Sequence, residues 1–166
     1  MKHPALDCDK EGDDPVNKAA TAALAMLALY SLSTSAHAAK FDFLGTWTVT
    51  TSEPAPWADA KEKPVASDLK ALIGHSVSFQ ADRIDAPAPL KCRKLRYEIK
   101  QYTPDMLFQG SLTDPKPQAA ALGFAGNTIP TVETGCEGAF DFHFLNADNA
   151  MFGLNNRIYR IQRSKP

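Results

Sequence analysis

The chain has 166 residues, 44% of them hydrophobic, and a formal net charge of −1 at pH 7. Residues 39–166, which follow a predicted leader, are enough for one hydrophobic core but not for two, so we expect a single folded domain. The near-neutral charge gives no reason to expect nucleic acid or an anionic surface as a partner.

The first predicted element is an export signal. An apolar run over residues 19–32 follows Lys18 and leads to the tripeptide Ala-His-Ala at 36–38, a pattern that signal peptidase recognises. The run is shorter than the ~20 apolar residues that span a bilayer, so we expect no membrane insertion after processing. The expected product is a periplasmic or secreted domain comprising residues 39–166.

The segment before this signal is acidic, although export favours positive charge ahead of the apolar run. Residues 1–18 hold five acidic residues against three lysines. One explanation is that translation truly starts at Val16, and the other is a disordered acidic extension. In either case residues 1–38 are treated as the leader.

Alternation of apolar and polar residues predicts strands along the whole exported region. In the first strand, Trp47 and Val49 share one face and Thr48 and Thr50 share the other. Eight strands are expected in total, at residues 43–50, 76–80, 92–102, 106–112, 131–136, 139–145, 150–154 and 157–163. Asparagine-rich connections at 146–149 and 155–156 predict tight turns between the last strands.

Two helical segments interrupt the strands. Residues 67–74 offer a capping serine, an apolar stripe and a terminating glycine, and residues 117–123 are expected to form one or two helical turns. A barrel would remove the exposed edges that eight antiparallel strands leave. We therefore predict an all-β fold: a closed or nearly closed eight-stranded antiparallel meander barrel with one short helix between strands 1 and 2.

Two cysteines, Cys92 and Cys136, remain in the exported region. In an oxidising compartment they most simply form a disulfide, while two free thiols are the alternative. The bridge would close a loop of about 45 residues, for which the chain-entropy relation gives roughly 4 kcal/mol of stabilisation.

The segment 40–49, KFDFLGTWTV, resembles the first-strand motif of the lipocalins and the wider calycin group. The resemblance implies that Gly45 and Trp47 form a structural motif, with the indole at the closed end of the barrel. It also implies a basic residue from the last strand packed over that indole, for which Arg157 is the candidate. The chain is shorter than most lipocalins and lacks their C-terminal helix, which counts against a deep ligand cup. As a whole it resembles small uncharacterised secreted proteins of Gram-negative bacteria.

Three aromatic residues are candidates for ligand binding. Trp57 lies in a proline-rich loop after the first strand, Phe108 in the predicted strand 106–112, and Phe124 in a glycine-rich loop. An aromatic residue in a loop is either a lid or binding anchor, or a plug packed on the end of the core.

Asp141 and His143 lie two residues apart in a predicted strand and therefore share a face, opposite Phe140, Phe142 and Phe144. A carboxylate beside an imidazole suits acid–base chemistry or metal binding, but we favour a solvated outer face. No nucleophile motif, metal-ligand spacing or phosphate-binding glycine loop occurs, so we expect no catalytic residues, no metal and no cofactor.

These observations favour an exported, non-catalytic protein that binds a small apolar or amphipathic ligand at a barrel mouth. The alternative is a periplasmic inhibitor or immunity factor that binds a cell-wall hydrolase. A hydrolase or isomerase that uses Asp141, His143 and Glu133 is a third and less favoured hypothesis.

Overall fold

The computed structural model describes residues 41–136 and 140–165. The predicted leader, residues 1–38, lies outside the described residues. Within the described ranges no helix is long and apolar enough to cross a membrane. The described residues all belong to one compact unit of the chain.

The domain consists mainly of short antiparallel strands. The described residues form nine strands: β1 Gly45–Pro54, β2 Ser76–Phe79, β3 Arg83–Asp85, β4 Cys92–Arg93, β5 Glu98–Tyr102, β6 Ile129–Glu133, β7 Asp141–Phe144, β8 Asn149–Leu154 and β9 Arg157–Arg163. Three helical segments accompany them: α1 Ala66–Leu72, a kinked 3₁₀ segment Pro104–Gly110, and α2 Pro115–Leu122. The helix predicted between the first two strands is confirmed as α1, although its N-terminus has no side-chain cap.

The strands form one sheet in the order β4-β3-β2-β1-β9-β8-β7-β6-β5. The first and last strands pair, as they do in a meander barrel, but the edge strands β4 and β5 do not pair with each other. Residues 94–97 connect the two edge strands along the chain, and such a linker spans at most about 17 Å, whereas nine flat strands would extend about 38 Å. The sheet must therefore curl strongly, and it forms an open half-barrel.

Strand number and closure differ from the prediction. The sheet has nine strands instead of eight, and it is open. Residues 92–102 form two strands because Lys94 adopts a left-handed conformation with φ of 58°. The predicted strand 106–112 was wrong: it lies largely in the 3₁₀ segment, where Phe108 and Gln109 are left-handed. Strand β3, only three residues long, was missed.

Aromatic side chains fill the inside of the curled sheet. Phe79 and Phe142 meet edge to face with ring centroids 4.8 Å apart, and Phe152 stacks on Tyr159 at 5.1 Å. The largest of these inner side chains have no appreciable exposure: Trp47, Phe79, Phe142, Phe144, Phe152 and Tyr159. The interior is therefore a packed core.

The outer face of the sheet carries a second core. The 3₁₀ segment and α2 pack Leu107, Phe108 and Leu122 against that face, which contributes Met151 and Ile158. Strands β6, β8 and β9 are therefore covered on both sides, since Ile129 of β6 belongs to the same second core. The predicted solvated outer face is wrong for His143, because the helical segments shield this residue from water.

A basic residue packs over the Trp47 indole as predicted, but that residue is Arg163 and not Arg157. The Trp47 indole donates a hydrogen bond to the Phe43 carbonyl at 2.9 Å, and the Arg163 guanidinium lies 4.4 Å from the ring centroid. Trp47 pairs directly with Arg163 across β1 and β9, whereas Arg157 starts β9 at the other end and donates to Ser52. The register of the two strands therefore selects Arg163.

Gly45 begins β1 with φ of 115°, a conformation that favours glycine. Arg163 donates hydrogen bonds to the carbonyls of Leu44 at 2.8 Å and Asp42 at 2.6 Å. The guanidinium thus holds the backbone that enters β1 against the indole of Trp47.

The predicted disulfide between Cys92 and Cys136 is present, with an S–S distance of 2.06 Å. Cys92 lies in the edge strand β4, and Cys136 follows β6, which neighbours the other edge strand. The bridge therefore links the two sides of the sheet that backbone pairing leaves open.

Candidate functional site

A pocket lies on the outer face of the sheet, at the end opposite Trp47. It has a volume of about 480 Å³ and is formed by the loop after β1, the 3₁₀ segment, the start of β7 and the β8–β9 turn. Its walls include Trp57, Phe108, Asp141, His143, Gly153 and Asn156. The pocket thus borders the packed interior, with which it shares Phe140.

Trp57 and Phe108 form an aromatic wall of this pocket. Their ring centroids are 5.3 Å apart, and the rings are inclined at 43°. The Trp57 indole nitrogen donates to the side-chain oxygen of Asn156 at 3.1 Å, which fixes the ring orientation. Gly153 lies beneath both rings: a Cβ there would come within 3.3 Å of Phe108 and 3.7 Å of Trp57. The absence of a side chain in β8 allows the rings to lie against the strand.

The polar rim of the pocket is built on the two-residue turn between β8 and β9. Asn155 and Asn156 both have positive φ, 46° and 54°, as a type I′ hairpin requires. The Asn155 side chain donates to Asp68 at 2.6 Å, and the Asn156 side chain donates to Glu62 at 2.8 Å. The predicted tight turn is confirmed, and its side chains anchor it to the segment between β1 and β2.

His143 lies behind the aromatic wall, fully buried, and both of its ring nitrogens have partners. The Phe108 backbone N–H donates to Nε2 at 3.0 Å, so Nδ1 carries the proton and donates to the Thr131 hydroxyl at 2.9 Å. Burial lowers the pKa of His143 to about 3. The imidazole is therefore neutral, and neither nitrogen can serve a substrate as general base.

The hydrogen bond from Phe108 to His143 secures an unusual backbone. Phe108 and Gln109 both adopt the left-handed conformation, with φ of 50° and 58°. Two consecutive non-glycine residues in this region carry a conformational cost, and they persist only where the surroundings hold them. His143 therefore acts as a positioning residue that fixes the segment carrying Phe108 into the pocket.

Asp141 is the acidic group of the pocket. Its side chain lies opposite Glu133 across β6 and β7, and no donor among the described residues forms a hydrogen bond with its carboxylate. Burial, followed by the negative charge of Glu133, raises the pKa of Asp141 to about 6, while Lys100 partly counters this. The carboxylate is thus incompletely compensated.

Glu133, in contrast, is well compensated. Lys100 donates to one carboxylate oxygen at 2.7 Å, and the Tyr102 hydroxyl donates to the other. These two hydrogen bonds lower the pKa of Glu133. The positive charge of Lys100, which partly counters the raised pKa of Asp141, is therefore already engaged by Glu133.

The three predicted aromatic residues separate into two groups. Trp57 and Phe108 line the pocket, whereas Phe124 is buried behind Phe108, with ring centroids 6.3 Å apart. Sequence reasoning did not identify Gly153 or Asn156 as parts of the site. A glycine inside a predicted strand indicates that other groups pack closely against the strand, so Gly153 could have been identified from the sequence.

Asp141 and His143 share a face as predicted, but they do not form a catalytic pair, since His143 is neutral and fully engaged. Among residues 41–136 and 140–165, no cluster of three or more His, Cys, Asp or Glu side chains could hold a metal ion.

No family model matches the chain, and no curated protein or solved structure is significantly similar to it.

Proposed function

We propose that the chain is an exported, non-catalytic binding protein whose site is the pocket beside Trp57. The ligand is a small amphipathic molecule with a flat apolar face and a polar edge. The observation that carries this proposal is that the aromatic pair Trp57 and Phe108 and the carboxylate of Asp141 line one pocket of about 480 Å³. This volume falls in the range of roughly 300–1,000 Å³ typical of small-molecule sites.

Rigidity of the walls supports binding. The Trp57 ring is fixed by Asn156, the Phe108 backbone by His143, and the turn by acceptors on the preceding segment. A site that is already ordered loses little conformational entropy when a ligand arrives. The fully engaged His143 argues against acid–base catalysis at the same place.

Export is part of the proposal and rests on two independent supports. One is the signal-like pattern of residues 19–38 in the sequence. The other is the Cys92–Cys136 disulfide, because such bridges persist mainly in oxidising compartments.

Fragment binding tests the proposal. A library of small aromatic and alicyclic compounds would be screened by ligand-observed NMR against the disulfide-bonded protein, and hits titrated by calorimetry. We expect saturable hits whose affinity falls at least tenfold in Trp57→Ala. The matched control is Leu44→Ala, which removes a 40% exposed apolar residue beside the start of β1, at the other end of the sheet. A library that yields only hits insensitive to Trp57→Ala would refute the proposal.

The packed interior favours a second candidate, an inhibitor or immunity factor for a periplasmic hydrolase, because such a protein needs no internal cavity. In that case one side chain of the partner would occupy the same pocket. Co-purification with a periplasmic protein, lost in Trp57→Ala and retained in Leu44→Ala, would distinguish it from small-molecule binding.

A further inference from the structure

We infer that the ligand of this pocket carries an organic cation, an ammonium or guanidinium group, held by the Asp141 carboxylate beside the faces of Trp57 and Phe108. This inference rests on the proposed function and specifies the chemical class of the ligand.

The first argument is the charge of the pocket. Among the described residues that line it, Asp141 alone is ionised, since His143 is neutral. The 3₁₀ segment and the residue after it contribute Phe108, Gln109 and Ser111 to the pocket, none of which titrates near neutral pH. A ligand therefore meets one negative charge.

The surroundings do not cancel this charge. The side chains that anchor the asparagine rim are themselves acidic, namely Glu62 and Asp68. On β6 the facing group is Glu133, and on β5 it is Lys100, whose ammonium binds Glu133 at 2.7 Å and Glu98 at 3.2 Å. An anionic ligand would be repelled, and a neutral ligand would further desolvate the carboxylate without neutralising its charge.

The second argument is the aromatic wall. The face of an aromatic ring is the negative pole of its quadrupole and attracts a cation within about 6 Å of its centroid, most strongly for tryptophan. Trp57 and Phe108 are inclined at 43° and lie in the same pocket as Asp141. Two aromatic rings and one carboxylate that line the same pocket are complementary to an alkylammonium attached to a flat apolar group.

The test compares three probes of nearly equal shape: 2-naphthylmethylamine, 2-naphthalenemethanol and 2-naphthoate. Their affinities would be measured by calorimetry at pH 8, where the amine is largely protonated and Asp141 is ionised. We expect the amine to bind at least tenfold more tightly than the alcohol, with no measurable binding of the carboxylate. In Asp141→Asn the affinities for the amine and the alcohol should agree within about threefold.

Asp105→Asn is the matched control, because it removes the same charge from an exposed position on the 3₁₀ segment outside the pocket. The preference for the amine should survive in it. Asp141→Asn is expected to fold, since burial already favours the neutral carboxyl. Its circular dichroism and thermal transition would verify this.

The outcomes separate the two proposals. If the amine and the alcohol bind with equal affinity and Trp57→Ala weakens both, the inference of a cationic ligand is overturned. The pocket then remains a binding site. An amine preference that persists in Asp141→Asn also overturns the role of the carboxylate. If none of the three probes binds at millimolar concentration, the cation inference fails, and an empty fragment screen would then remove the proposed function as well.

Discussion

The neutrality of His143 predicts how the stability of this protein depends on pH. The imidazole is fully buried, accepts a hydrogen bond from the Phe108 backbone and donates one to Thr131. Its pKa is about 3 in the folded protein and 6.5 when unperturbed. Between these values the unfolded chain binds a proton that the folded protein excludes. The stabilisation is therefore complete above pH 6.5 and is lost as the pH falls toward 3.

The size of this effect follows from linkage. One excluded proton changes the free energy of unfolding by at most about 1.4 kcal/mol per pH unit. From pH 7 to pH 5 only the interval below 6.5 contributes, which amounts to about 2 kcal/mol. Asp141 acts in the opposite direction, because its pKa of about 6 lies above the unperturbed value. The His143 contribution must therefore be isolated from it.

Comparison with His143→Gln achieves this separation. Glutamine can accept a hydrogen bond from the Phe108 N–H and donate one to the Thr131 hydroxyl, but it does not titrate. Asp141 is present in both proteins, so its contribution to the pH dependence cancels in the comparison. Free energies of unfolding would be measured by urea denaturation at pH 7 and pH 5. The wild type should lose about 2 kcal/mol more than His143→Gln over this interval.

His75→Gln provides the control, because His75 is exposed. It should retain the pH dependence of the wild type. If wild type and His143→Gln instead lose the same stability within about 0.5 kcal/mol, the imidazole is not a neutral buried group, and the positioning role assigned to it would be wrong.

Three further predictions follow from the site and the disulfide. Replacing Cys92 and Cys136 together by serine should lower the free energy of unfolding by roughly 4 kcal/mol, since the loop has about 45 residues; a loss below about 1 kcal/mol by urea denaturation would contradict this. Affinity for 2-naphthylmethylamine should fall about tenfold between pH 8 and pH 5, because Asp141 becomes protonated below its pKa of about 6; an affinity independent of pH in calorimetry would exclude that carboxylate. Gly153→Ala should push the Phe108 ring into the pocket and lower the affinity for the amine at least fivefold, because the new Cβ would lie 3.3 Å from that ring. The free energy of unfolding should change by about 1 kcal/mol or less. Unchanged affinity in calorimetry would show that Gly153 does not determine the position of the ring.

Most strands could be predicted because their signal is local. Strands β1, β2 and β7 alternate apolar residues with polar ones, and the Asn155-Asn156 turn has residues suited to positive φ. Closure of the barrel could not be predicted in the same way. It depends on pairing between β4 and β5, and a strand of two residues offers few backbone hydrogen bonds with which to pair.

The segment 106–112 illustrates the opposite case. Its composition is that of a strand, yet Phe108 and Gln109 are left-handed, and a residue 35 positions away supplies the acceptor for the Phe108 N–H. Tertiary contacts of this kind override local propensity. The covered outer face had a local signal, however: Ala150, Met151 and Phe152 form a continuous apolar run, which is typical of a strand buried on both faces.

The residue types of the site could be recognised in the sequence, but the positions of those residues in the fold could not. Trp57 and Phe108 could be selected as aromatic candidates, but they belong to different segments, and only the fold brings their rings to 5.3 Å. Phe124 has the same sequence signature and lies in the second core. Sequence does not distinguish these outcomes, because the distinction depends on how the 3₁₀ segment and α2 pack on the sheet.

The position of the pocket explains why binding and folding can be separated in this protein. Substitutions of Trp47 or Phe142 would leave cavities in the packed interior and destabilise the whole sheet. Trp57 and Asp141 are only partly buried and lie on the outer face, so their replacement removes contacts with a ligand at little cost to that interior. His143 lies between the two regions, since it stabilises the second core and also holds Phe108 in place. Its substitution should therefore weaken folding and binding together, unlike that of either pocket residue.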